Sequence, residues 1–128
     1  MEIEIRIDWS EMDLFGHVNN VMFAKYIQAA RVNFMEGVGI IKSYNEVRLG
    51  FMVAATSVVY LKPLYYPDTI RIRSNVKEIK NTSFILHHEI YNSENALCAT
   101  GEDVIVYFDF NKESKQLISK ELKAMLIG

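Results

Sequence analysis

The 128-residue chain has one cysteine, two prolines and three histidines, and no uninterrupted apolar run reaches the ~18 residues that a membrane span needs. A lone thiol, Cys98, cannot form an internal disulfide. The opening Met1-Glu2-Ile3-Glu4-Ile5 has neither the basic start nor the apolar middle of a secretory leader. The expected compartment is therefore the cytoplasm, with no membrane insertion. Neither sign of charge dominates: 14 Lys+Arg stand against 16 Asp+Glu, a net charge of -2. That balance argues against broad neutralisation of phosphates, so nucleic acid is not an expected partner. His87 and His88 are neighbours on a predicted strand and point to opposite faces, and no Cys-rich spacing accompanies them. Glycine-rich phosphate loops and serine nucleophile elbows are missing too. The sequence thus asks for no metal and no cofactor.

What is present is an apolar, globular composition, 50% hydrophobic and 23% charged. One domain, residues 1–128, fits this length, and a chain of this size buries roughly two-thirds of the surface its unfolded form exposes. Residues 2–8 alternate apolar and charged side chains and predict a first strand. Trp9 to His17 breaks any period and reads as a loop. From Asn20 to Gly37, Phe23, Ile27, Ala30 and Phe34 recur at helical spacing, with Val21, Ala24, Val32 and Met35 extending apolar character around the cylinder. This is the one long helix, expected to be buried on most sides, capped by Asn19 or Asn20 and stopped by Gly37 and Gly39. After a short connector, four β-prone runs follow at Met52–Leu61, Thr69–Ile79, Ser83–Tyr91 and Leu97–Phe110, the last three reading as a meander. Hairpin turns can join the four in antiparallel order. Residues 119–127 suggest a short terminal helix. Strand, long helix, then four strands is an α+β pattern in which the sheet must cover the helix. Such a sheet leaves an edge that self-association could cover.

Chemistry concentrates in Asp13-Leu-Phe-Gly16-His17-Val-Asn19-Asn20, where a carboxylate, an imidazole and two amides precede the long helix. One reading is purely local: Asp13 holds a turn, Gly16 supplies a positive φ, and an Asn caps. The other reading uses position. A helix start offers unpaired N–H groups and a positive dipole end, so the N–H of Asn20 or Val21 can polarise a carbonyl while Asp13 attacks its carbon or deprotonates water. A carboxylate is a weak nucleophile, which favours an activated acyl group such as a thioester over an amide. Other residues have plainer roles: Cys98 reads as packing, and Arg71, Arg73 and Lys77 as a solvated or partner-facing strand face. Tyr60, Tyr65 and Tyr66 either pack or line an acyl pocket.

The run from Asp13 to Tyr26, with Ala30-Arg31 after it, resembles the signature of hotdog-fold acyl-CoA thioesterases of the 4-hydroxybenzoyl-CoA type. It is also similar to the DxxxHVNN-like segment of plant acyl carrier protein thioesterases. The resemblance implies a hotdog fold, an antiparallel sheet wrapped around one long central helix, and hydrolysis of an acyl-CoA or acyl carrier protein thioester by a homodimer or homotetramer. By this resemblance Asp13 falls at the catalytic carboxylate and Gly16 at the turn into the helix. Asn20 falls at the amide facing the carbonyl, with Val21 beside it. His17 and Asn19 correspond to residues that orient the carboxylate or a water. Lys80 and Ser83, in the turn before the third sheet strand, fall where relatives hold the nucleotide end of coenzyme A. A related hotdog group uses a Glu inside the long helix, but here the only helix Glu, Glu36, is near the far end. Two alternatives stay open, a hydratase or dehydratase on the same fold and a non-catalytic acyl-thioester binder.

Overall fold

A computed structural model describes residues 1–128. Alternation of Ile3 and Ile5 with Glu2, Glu4 and Arg6 makes β1 (Glu2–Arg6), followed by a 3₁₀ turn at Trp9–Glu11. The central helix α1 (Asn20–Gly37) then leads through Gly39, at φ 76°, into α2 (Ile40–Val47). Strands β2 (Leu49–Tyr60), β3 (Thr69–Ile79), β4 (Ser83–Tyr91) and β5 (Leu97–Asp109) come next, with a two-residue β6 (Ser114–Lys115) and a last helix α3 (Lys120–Ile127). All pairings are antiparallel, in the order β1-β3-β4-β5-β2, with β6 on the end of β5. No helix is long and apolar enough to cross a membrane.

One face of the sheet carries α1. Phe23, Tyr26, Ile27, Ala30 and Phe34 are its buried residues, and they meet the inward row Phe84, Leu86, His88 and Ile90 of β4 and its neighbours. Gly101 makes room for the helix, since a Cβ there would sit 2.4 Å from Ile27 Cδ1. The helix is thus buried on one side only, not on most sides. A single sheet covers a single face, and Val21, Ala24 and Val32 on the opposite face stay exposed.

The expected hairpin between β2 and β3 does not form, because β2 pairs with β5 at the opposite edge from β1. The intervening segment 61–68 crosses the end of the sheet. Leu61 and Lys62 donate their amides to Cys98 O, Val18 N donates to Leu64 O, and Ile7 N donates to Asp68 O. Helix α2 and the start of β2 at Leu49 fall in what reads from sequence as a connector. Ser, Asn, Tyr and β-branched residues are weak helix formers, and α2 ends on Arg48 at a positive φ with no glycine to signal it.

The core has two apolar clusters, one around Ile7, Phe23, Tyr26, Ile27 and Ile90, the other around Phe34, Phe84, Leu86, Ile105 and Leu126. A polar row divides them. Ser74 of β3 lies 2.7 Å from His88 Nδ1 of β4, and His88 Nε2 lies 2.8 Å from Asp103 Oδ2 of β5. Thr56 of β2 donates to Asp103 Oδ1 at 2.6 Å, and Arg31 of α1 reaches Asp103 Oδ2 at 3.0 Å. Burial pushes the Asp103 carboxyl upward, yet the bonds from His88 and Thr56 and the charges of His88 and Arg31 outweigh it and hold the group below the ordinary aspartate value. Every buried side-chain polar atom has a partner.

Removing one member of a buried pair strands the other, so Asp103→Ala is expected to cost about 3–5 kcal/mol in denaturant unfolding. The folded pKa of Asp103 is depressed, so its contribution is present above the unfolded value of about 3.9 and is lost as pH falls through the lower folded value. Asp103→Asn should therefore flatten the acid limb of the stability–pH curve.

Candidate active site

The segment between β1 and α1 closes on itself. Met12 bridges Val18, Asp13 N donates to His17 O at 2.8 Å, and Gly16 takes φ 86°, a conformation that glycine adopts without strain. The Asp13 carboxylate is thereby held from three directions. Its Oδ1 accepts from Phe15 N at 2.8 Å and from His17 N at 3.4 Å, and its Oδ2 lies 3.2 Å from His17 Nδ1. The His17 ring stands edge-on to Tyr65 at 6.5 Å between centroids. The His17 ring and the Asp13 carboxylate thus face each other across this closed loop.

The helix start distinguishes the two candidate amides. Asn19 is the N-cap, and its side-chain oxygen accepts from Val21 N at 3.1 Å. Val21 therefore spends its amide on the cap, and its side chain is exposed outside the cleft. Asn20 is the first helical residue, with no intrahelical acceptor for its N–H and no other protein partner. Of the two, Asn20 has the free donor. Asn19 acts through the cap and does not line the cleft, nor does Gly16.

Asp13, His17 and Asn20 share a cleft of about 400 Å³ with Val18, Phe23, Tyr60, Leu61, Lys62 and Pro63. Phe23 forms its apolar floor, with the Tyr60 ring edge-on at 5.1 Å, and Tyr60 Oη donates to Asn20 O at 3.3 Å. Of the three tyrosines, Tyr60 lines the cleft, Tyr65 buttresses His17, and Tyr66 is outside. Lys62 is the only cation in the lining and pairs with no carboxylate. Sequence reasoning missed it, since it enters the cleft only because segment 61–68 crosses the sheet end.

Lys80 and Ser83 are not brought to this cleft. They flank the β3–β4 turn, where Lys80 N donates to Ser83 O, beside Ile118 and the far apolar cluster. The 11-residue β3 runs between the two ends, a span of roughly 35 Å. A larger cleft of about 620 Å³ lies between α3, β3 and the end of α1, and contains none of the candidate residues. On the outer sheet face two of the three strand cations are paired, Arg71 with Glu2 at 3.0 Å and Lys77 with Glu102 at 2.7 Å, while Arg73 has no carboxylate partner. Cys98 is fully buried, and burial pushes its thiol upward, as befits a packed side chain.

A family model described as the thioesterase-like superfamily matches residues 7–126. The chain belongs to that superfamily. Curated relatives agree with the family's chemistry, thioester hydrolysis. The long-chain acyl-CoA thioesterase FadM of Escherichia coli is 22% identical over 98% of this chain and 96% of its own. The chloroplast acyl-acyl carrier protein thioesterase ATL3 of Arabidopsis thaliana is 29% identical over 98% of this chain and 67% of its own. Among solved structures, the probable thioesterase YbaW from Escherichia coli superposes with a TM-score of 0.88 at 22% identity, covering 98% and 96% of the two chains. That likeness establishes the hotdog-like fold, an antiparallel sheet with one long helix.

The cap assignment has a direct check. Asn19→Ala should lower stability by about 1 kcal/mol in thermal or denaturant unfolding, since it removes the bond to Val21 N. An unchanged midpoint would contradict the cap geometry.

Proposed function

We propose that the protein hydrolyses an acyl thioester of coenzyme A or acyl carrier protein to a carboxylic acid and a free thiol, in the cleft at the start of α1. One observation carries the proposal: the Asp13 carboxylate and the unpaired Asn20 N–H line the same cleft. The thioester carbonyl oxygen sits on the Asn20 N–H, where the positive end of the helix dipole stabilises the oxyanion as it forms. Asp13 acts in one of two ways. As nucleophile it forms a C–O bond, the carbonyl electron pair moves to oxygen, and collapse breaks the C–S bond to release thiolate. Water then hydrolyses the anhydride. As general base it takes a proton from water, whose oxygen adds to the same carbon before thiolate leaves. His17, Asn19 and Gly16 serve by positioning. The apolar floor of Phe23 and Tyr60 receives the acyl group, and Lys62 offers a charge to the phosphate-bearing thiol carrier.

A hydratase needs groups flanking Cα and Cβ, whereas Asp13 and His17 touch at 3.2 Å on one loop. A binder needs no carboxylate beside the carbonyl donor. Both features favour hydrolysis, in a cytoplasmic setting.

Assembly is part of the proposal. Strand β2 is a sheet edge with Met52, Val53 and Val59 exposed, and the outer face of α1 exposes Val21 and Val32. Leu14 and Phe15, at the tip of the catalytic loop, are 92% and 82% exposed. A long apolar edge of this kind is normally covered. A homodimer, or a tetramer built from it, covers these surfaces and offers Lys80 and Ser83 a route to the Asp13 cleft of another copy.

Asp13→Asn should reduce thiol release from the best substrate in an acyl-CoA and acyl carrier protein panel by about 10²–10⁴-fold, with near-ultraviolet dichroism unchanged. A fully active mutant would remove Asp13 from the chemistry. Light scattering on the purified 14.8 kDa chain should give a multiple of that mass, reduced by Val59→Asp; a monomeric wild type would contradict the assembly.

A further inference from the structure

Glu11 is a carboxylate that the thioesterase reading does not use, and it is 6% exposed. Its Oε1 accepts from Asp8 N at 2.8 Å and from Tyr26 Oη at 2.9 Å, and its Oε2 lies 3.1 Å from Lys25 Nζ. The backbone of the same residue is equally engaged. Glu11 N donates to Asp8 O at 3.0 Å, and Glu11 O accepts from Asn19 N at 2.9 Å. One residue thus ties the start of the loop, the N-cap of α1 and the second turn of α1 together. Asp13 lies two residues beyond it, inside the segment closed by the Met12–Val18 bridge.

Tyr26 is 2% exposed, so its hydroxyl has no solvent to turn to if Glu11 is removed. Burial pushes the Glu11 carboxyl upward, but the bonds from Asp8, Tyr26 and Lys25 together hold it below the ordinary glutamate value, which keeps the clasp ionised. Lys25 is 67% exposed, so most of the holding falls to the buried Tyr26 and the Asp8 amide.

We infer that Glu11 is a positioning residue for catalysis, a clasp that fixes the Asp13 loop against the first two turns of α1 and so sets the distance between the Asp13 carboxylate and the Asn20 N–H. It touches no reacting atom. The inference rests on the proposed hydrolysis for its kinetic readout, though not for its structural one. Because the clasp sets geometry and leaves the cleft lining intact, its loss should appear in kcat and leave KM nearly unchanged.

The test uses the full chain with Glu11→Ala, Glu11→Gln, Tyr26→Phe and Asp13→Asn, assayed on one acyl-CoA or acyl carrier protein substrate. Amide hydrogen exchange is followed in parallel. Glu11→Ala should lower kcat by about 10²-fold, and Glu11→Gln, which keeps the Oε1 acceptor, should recover most of it. Tyr26→Phe should lower kcat in the same direction and add little to Glu11→Ala in the double variant. The amides of Asp13, Val18 and Asn19 should exchange about tenfold faster in Glu11→Ala while those of β4 do not change.

Folded Glu11 variants with wild-type kcat, alongside an inactive Asp13→Asn, would overturn the clasp and leave the hydrolase reading standing. A wild type inactive on every thioester would overturn that reading, and the exchange data alone would then decide the clasp. Should Glu11→Ala fail to fold, Glu11→Gln and Tyr26→Phe decide it by the same readouts.

Discussion

Asp103 has no exposed surface, and Arg31, His88 and Thr56 each bring it a partner from a different element. A buried charge that loses a partner is far more costly than the pair is favourable, so this arrangement works mainly as a constraint on register. Helix α1 cannot slide or roll over the sheet without stranding Asp103 or Arg31. The row Ser74–His88–Asp103–Thr56 extends that constraint across β3, β4, β5 and β2. Asn20 is eleven residues upstream of Arg31 on the same helix, about 16 Å along its axis, so pinning Arg31 also pins where the free Asn20 N–H emerges.

The division of the core into two apolar clusters on either side of this row separates two ends with different duties. At the far end Phe34, Phe84, Leu122 and Leu126 close the fold with ordinary packing. At the near end the loop from β1, the start of α1 and the crossing segment 61–68 converge. Their backbone groups bond one another: Val18 to Leu64, Ile7 to Asp68, Asn19 to Glu11. A carboxylate held by short-range turn bonds therefore comes to rest beside a donor held by the helix. Rigid positioning of this sort is what a site built on a helix start provides to charge developing on an oxygen.

Much of this was legible in the sequence, and the reasons differ by feature. The span of α1 followed from its helical apolar period, and β3, β4 and β5 followed from alternation and turn residues. Asp13 and Asn20 stood out because the motif sits at a helix start. The partner of β2 was not legible, since pairing with β5 depends on how segment 61–68 crosses the sheet and not on any period within β2. For the same reason Lys62 was invisible as a cleft residue, while Lys80 and Ser83, equally plausible on residue type, lie at the other end. Asp103 and His88 look like unremarkable alternating polar positions, and Glu11 like an ordinary loop carboxylate, until tertiary structure buries them. No local pattern marks a charge whose partners are 15, 47 or 72 residues away.

The claim on which the rest turns is that Asn20, and not Val21, presents its N–H to the substrate carbonyl next to Asp13. The amide proton shifts of both residues should be followed while the protein is titrated with a non-hydrolysable acyl-CoA analogue in which a methylene replaces the thioester sulfur. A downfield shift of the Asn20 amide that saturates with binding, with the Val21 amide little changed, is the predicted result. Saturable binding that moves Val21 alone, or neither amide, would contradict the account.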